Sequence, residues 1–143
     1  MLKENAIAKI IENIDFCPLL KARDFLDYAI RNTKDDLDRA GCIQAFEFCY
    51  ELAWKFMRRL LIAKGISEEK LAANPKNTFR IAAENYLIQN LEQWFVFILN
   101  RNLTVHTYNI QTAKEVYKVI PCFLQELNFF LNTVTRGHTD TDK

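Results

Sequence analysis

The chain has 143 residues, half of them hydrophobic, with 19 basic and 18 acidic side chains and a net charge of +1. That length accommodates one domain with a substantial core and is too short for two comfortable ones. Only three residues are glycine, which disfavours a strand-and-turn protein, and the charge balance excludes a global pull toward nucleic acid or anionic membrane. Any contact with a polyanion must come from a local patch.

Along the N-terminal stretch, Ile7, Ile10, Ile11 and Ile14 recur at the i, i+3, i+4, i+7 spacing of a short amphipathic helix. Residues 1–17 are accordingly read as an N-terminal extension containing one. Pro18 suits the first turn of the next helix. From Leu19 to about Asn32, Leu19, Ala22, Leu26 and Ala29 or Ile30 line one side, while Lys21, Arg23, Asp24 and Arg31 take the other. Thr33-Lys34-Asp35-Asp36 then gives a hydroxyl cap followed by acids, which suit the positive end of a helix dipole.

The longest predicted helix follows and runs to about Lys64, with Gly65 as its stop. Ile43, Phe46, Tyr50, Trp54, Met57 and Leu61 form its stripe, with Cys42, Cys49 and Phe56 alongside. That arc is wide enough for two packing neighbours. Glu47, between Phe46 and Phe48, is read as a solvated or ion-paired side chain, with a supporting acid for catalysis as the alternative. Ser67-Glu68-Glu69 starts a short helix, and Asn74-Pro75 caps another that spans roughly Pro75 to Leu87. Leu91, Trp94, Phe95, Ile98 and Leu99 make a strongly apolar helix. Thr112-Ala113-Lys114-Glu115 has capping-box form and opens the run Ala113, Val116, Ile120, Phe123, Leu127, Phe130 and Val134, in which Pro121 should kink the helix. A polar tail, 137–143, is expected to be disordered.

Such a pattern reads as an all-α chain, an up-and-down four-helix bundle over residues 18–136 with short accessory helices. Eleven phenylalanines and two tryptophans exceed what one small bundle easily buries, so part of them is expected in a dimer interface. The four cysteines (Cys17, Cys42, Cys49, Cys122) form no C-x-x-C and read as buried free thiols in a reducing compartment. With no run of eighteen apolar residues and no signal-peptide pattern, a cytoplasmic protein without membrane contact is expected. Nothing in the pattern asks for a metal or a cofactor.

Chemistry concentrates in Arg101-Asn102-Leu103-Thr104-Val105-His106-Thr107-Tyr108, which holds one of the two histidines in the chain. A histidine can take a proton from a ribose 2′-hydroxyl or return one to a leaving oxygen, and an arginine fork can hold a phosphate. Asn102, one turn away, can orient the imidazole, and Tyr108 offers a hydroxyl. On an ideal helix Arg101 and His106 lie about 140° apart and do not converge. Either the helix unwinds near Thr104-Val105-His106, or the site is composite across a two-fold axis. The blander reading is a helix cap beside solvated charge.

The stretch from Gly41 to Lys55 (Gly-Cys-Ile-Gln-Ala-Phe-Glu-Phe-Cys-Tyr-Glu-Leu-Ala-Trp-Lys), followed by Arg101 to Tyr108, resembles the nucleotidyltransferase substrate-binding protein family of the HEPN superfamily. The likeness covers roughly Leu20 to Leu131 and leaves Met1 to Cys17 outside. It implies a homodimeric, HEPN-like four-helix bundle and a separate minimal nucleotidyltransferase, encoded by a neighbouring gene, as partner. The superfamily's RNase motif maps onto Arg101, Asn102 and His106. Toxin members carry an R-x4-H-x-Y form whose tyrosine, here Tyr108, receives AMP from the nucleotidyltransferase antitoxin. The resemblance therefore implies a metal-independent endoribonuclease acting on RNA, or a non-catalytic subunit that binds substrate or nucleotide for the transferase.

Overall fold

A computed structural model describes the chain from residue 10 to residue 142, with side-chain surroundings given as far as Thr135. It opens on a hairpin rather than a helix. Strands β1 (Ile10–Ile11) and β2 (Ile14–Asp15) pair antiparallel with Ile11 opposite Ile14. Glu12 and Asn13 between them both have positive φ, the conformation a two-residue hairpin turn requires. A separation of three residues places Ile11 and Ile14 on one helix face, but equally opposite each other across such a turn, so the isoleucine spacing alone does not distinguish them. The expected N-terminal helix is thus corrected for residues 10–15, and its part resting on Ile7 lies outside the described residues. Ile11, Ile14 and the following Phe16 are all in the core.

Helix α1 (Cys17–Arg31) starts with Pro18 in its first turn, as expected, and buries Leu19, Ala22 and Leu26. Its start is held by Asp15 Oδ1, which accepts from the Cys17 amide at 2.9 Å. The cap of α2 (Asp36–Ala63) is Asp35, whose side chain accepts from the Asp38 amide; it is not Thr33. The Thr33 hydroxyl points backward and donates to the Ala29 carbonyl at 2.7 Å, closing α1. At the other end of α2, Gly65 takes φ +104° while the Gly65 and Ile66 amides reach the Ile62 and Leu61 carbonyls. That is the double closure for which glycine is favoured, and it ends the helix where the sequence predicts.

Helices α3 (Glu68–Leu71) and α4 (Pro75–Glu84) are capped by Ser67 and Asn74. Helix α5 (Leu91–Leu103) is capped by Asn90. The last helix, α6 (Ile110–Asp142), begins ahead of the predicted box. Asn109 Oδ1 accepts from the Thr112 amide at 3.1 Å, so Asn109 takes the capping role and Thr112 lies inside the first turn. Helix α6 continues through Pro121. The predicted polar tail falls where only the backbone is described, and that backbone is helical to Asp142.

Helices α1, α2, α5 and α6 form the predicted all-α bundle, with α4 wedged between α2 and α5. Helix α2 is central and touches α1, α4 and α6. Its full predicted stripe is buried, together with Cys42, Cys49 and Phe56. Phe46, Tyr50, Phe79, Trp94, Phe97 and Phe123 meet as a chain of edge and tilted ring contacts between 4.9 and 6.5 Å. The protomer therefore buries most of its aromatic rings by itself, while Phe25 and Phe48 are the strongly exposed phenylalanines. Arg23 donates to Asn128 at 2.8 Å and ties α1 to α6. Among the described residues no helix is long and apolar enough to cross a membrane.

Candidate functional site at the end of α5

Helix α5 loses its α-helical register at Leu103 and tightens into a 3-10 turn, Thr104–His106, before the chain swings into α6. The spacing leaves open an unwound helix near Thr104-Val105-His106 or a site composite across a two-fold axis. The protomer has a local break there, but the backbone tightens instead of unwinding and does not bring Arg101 to His106. Thr104 holds the turn. Its buried hydroxyl lies 2.7 Å from the Arg101 carbonyl and 2.6 Å from Glu47 Oε2, and its single proton can serve either oxygen. Thr107 repeats the pattern by donating to the Thr104 carbonyl at 2.9 Å.

Arg101 faces α2. Its Nε donates to Glu51 Oε2 at 3.1 Å, and its Nη1 donates to Glu47 Oε2 at 3.1 Å and to the Thr104 hydroxyl at 3.0 Å. Glu47 and Glu51 stand one turn apart on α2, so both reach the same guanidinium. The other oxygen of Glu51 accepts from Trp54 Nε1 at 3.1 Å and lies 4.0 Å from Lys55 Nζ. Two carboxylates thus meet one guanidinium and one ammonium, and the cluster is locally neutral. Nη2 makes no hydrogen bond to any described residue, which leaves two donors on that nitrogen. The Arg101 side chain is 27% exposed and that of Glu47 31%, so the seam is half wet. Directly beneath it Tyr50 is buried against Phe46, Phe79 and Phe123. Burial pushes the Tyr50 hydroxyl well above its ordinary range; the Glu51 charge pushes the same way, and Arg101 pulls against both.

His106 lies in different surroundings. It is exposed, and the Tyr108 hydroxyl lies 3.4 Å from its Nδ1. The two rings stand edge to face with centroids 6.0 Å apart. Asn102 does not reach the imidazole, because the 3-10 turn rotates each residue further than an α-helix does and breaks the four-residue register. Within one protomer the structure therefore brings His106 to Tyr108 and Arg101 to Glu47, while Arg101 and His106 share no partner. Glu47 is ion-paired, one of the two readings the sequence leaves open. Sequence reasoning missed Thr104 and Glu51. The available signal was Glu51 one helical turn from Glu47 within the largely apolar stretch from Cys42 to Trp54, and a threonine three residues after the arginine.

Apolar side chains surround this end of the molecule. Leu99 and Val105 are more than 60% exposed, and Val96 and Leu103 complete an uncovered strip on α5. No group of three His, Cys, Asp or Glu side chains gathers among the described residues as a metal site would require.

Comparison with known proteins places this geometry in context. The sequence model of the family described as nucleotidyltransferase substrate binding protein like matches residues 7–136, so its N-terminal limit precedes the one the resemblance implies. A Haemophilus influenzae protein named as a probable ribonuclease HepT is 40% identical over 93 residues. That match spans 64% of this chain and 64% of the relative's length. A solved Haemophilus influenzae structure, described as revealing the fold of a substrate binding domain of a nucleotidyltransferase, superposes with a TM-score of 0.76. It is 31% identical, over 84% of this chain and 98% of the other. A crystal structure from Thermus thermophilus gives 0.74 at 26% identity, over 81% and 98% of the two chains. On the family match, which runs from the β1–β2 hairpin into α6, this chain belongs to the nucleotidyltransferase substrate-binding-like family.

Proposed function

We propose that the protein is the HEPN-type subunit of a two-component, toxin–antitoxin-like system with a minimal nucleotidyltransferase, and that it cleaves RNA without a metal ion. The observation that carries this reading is the 3-10 turn. It takes His106 off the α5 face, sets it in solvent, and gives it the Tyr108 hydroxyl as a neighbour at 3.4 Å. An imidazole in that position can accept the 2′-hydroxyl proton as the 2′-oxygen bonds to phosphorus and the phosphorus–O5′ bond breaks. The O5′ atom then needs a proton, and Arg101, five residues before His106, faces α2 and shares no partner with the ring.

A homodimer answers the first need. Two copies meeting through the uncovered α5 strip, with Val96, Leu99 and Leu103 against their counterparts, set the two His106 turns beside one axis, while each Arg101 stays on the α2 side of its own helix. One ring acts as base and the other as acid. Arg101 is oriented by Glu47 and Glu51 and offers Nη2 to the phosphate. In this reading Asn102 positions RNA and Glu47 is the supporting acid. Tyr108, 82% exposed, is open to receive AMP from the transferase. An adenylated Tyr108 sets a phosphodiester beside His106, which would silence the base.

One observation favours the alternative of a non-catalytic subunit that binds substrate or nucleotide: Arg101 is already neutralised by two carboxylates in the protomer. Incubating the purified protein with RNA in the presence of a chelator separates the two. Cleavage products ending in a 2′,3′-cyclic phosphate support the nuclease. Inert RNA together with a stable complex with the transferase supports the binding subunit.

A further inference from the structure

We propose that Lys76 and Arg80 form a phosphate-binding step that seats single-stranded RNA along α5 on its way to His106. The inference rests on the nuclease reading above and concerns where the substrate lies. Lys76 and Arg80 are four residues apart on α4, so they project from one face. Both are over the Phe95 ring of α5, with Lys76 Nζ 5.2 Å and Arg80 Cζ 5.8 Å from its centroid. A half-buried ring that holds two cationic side chains fixes where their charges sit, and that lowers the entropy lost when a phosphate binds.

Their charges are also uncompensated. Both side chains are exposed, and neither forms an ion pair with a described residue. Arg80 bonds only the neutral Asn77 amide, at 3.2 Å. Glu84 lies one turn beyond Arg80, and Glu92 lies three residues before Phe95, yet neither closes on the two cations. Arg101, by contrast, is already neutralised. A chain of net charge +1 has no general attraction for RNA, so unpaired cations at one place determine where a strand first settles.

Position completes the case. Phe95 and Asn102 are seven apart on α5 and share a face; the 3-10 turn carrying His106 follows directly. From Phe95 to His106 the axis runs about 18 Å, a span that a few nucleotides cover. The strip beside it, Val96, Leu99 and Leu103, is the one assigned above to the second copy, so strand and dimer occupy neighbouring tracks.

The test pairs the Lys76→Ala/Arg80→Ala double variant with wild-type protein on a fluorescein-labelled single-stranded RNA across a salt series. KM should rise about tenfold with kcat within about twofold, and the slope of log affinity against log salt should shrink by about 1.4, two single-strand phosphate contacts. The exchange Lys76→Arg/Arg80→Lys, which keeps both charges, should restore wild-type KM, whereas Lys76→Met/Arg80→Met, which keeps cover on Phe95 without charge, should behave as the alanine pair does. If the double variant folds and cleaves with unchanged KM and salt slope, this path is wrong while the nuclease reading stands. If wild-type protein neither cleaves nor binds RNA, both fall together.

Discussion

Helix α5 passes through two regions that are held in opposite ways. Around Trp94 and Phe97 it is sealed: both rings are fully buried, and each touches Phe123 of α6 edge-on at 5.7 and 5.2 Å. Less than two turns later Arg101 is fixed by 3.1 Å ion pairs on side chains about one-third exposed, and His106 beyond it is exposed beside Tyr108. In the first region each side chain is over-determined by close-packed neighbours, so an altered volume has no compliant direction to relax into. In the second, water can replace what a substitution removes. The molecule can therefore be probed at its site without being unfolded, and that makes its chemistry testable.

Breaking the sealed region should cost most. Phe123 contacts Phe46, Tyr50, Trp94 and Phe97, and Phe123→Ala should lower unfolding free energy by about 3–5 kcal/mol in urea titrations. Phe123→Leu, which keeps most of the volume, should lose well under half of that. A small loss in both would mean that the ring cluster is not the continuous core described here.

Alkali attacks the same region by another route. Burial pushes the Cys49 thiol up to about 12 from an ordinary 9.0, and Cys42 moves in the same direction. The folded chain keeps these protons where the unfolded chain would release them. The stability they contribute is whole below pH 9, declines by about 1.4 kcal/mol per pH unit for each thiol above it, and for Cys49 is gone past pH 12. Chemical denaturation between pH 8 and the onset of alkaline unfolding should show that slope, and Cys49→Ala should flatten it. An unchanged slope in the variant would place the thiol outside the core.

The charged seam should yield less. Arg101→Ala leaves Glu47 and Glu51 facing each other across a half-wet seam and should cost about 1 kcal/mol, discounted for solvent screening. A double-mutant cycle of Glu47→Gln with Arg101→Gln should return a coupling energy below that. Smallest of all, His106→Ala and Tyr108→Phe should shift stability by no more than about 0.5 kcal/mol, since both side chains are exposed. A larger shift at His106 would make it a structural residue.

The same contrast explains what the sequence disclosed. The stripe on α2 was legible because six apolar side chains at helical spacing have one way to be buried, and every one of them is. Gly65 was legible because its φ of +104° is a glycine conformation. Capping was harder to read: Thr33 and Thr112 looked like caps, yet Asp35 and Asn109, two and three residues away, took the amides. The Thr33 hydroxyl is already used on the Ala29 carbonyl, and Thr112 lies inside the first turn that Asn109 caps. The hairpin was illegible because Ile11 and Ile14 meet under either backbone. At the site, residue types pointed to Arg101 and His106, and their spacing showed that one straight helix would not bring them together. What spacing could not convey was the binding of Arg101 to Glu47 and Glu51 across 50 or more residues, since long-range pairing depends on how α2 and α5 are laid against each other.

Everything proposed for the site turns on whether the exposed imidazole at the end of α5 breaks a phosphodiester. The direct measurement follows cleavage of a labelled single-stranded RNA in EDTA by wild-type protein and by His106→Ala, both shown by circular dichroism to be folded. Cyclic-phosphate products are expected from the wild type and none above background from the variant. Equal cleavage by the two proteins, or no cleavage by the wild type, would contradict the proposed chemistry.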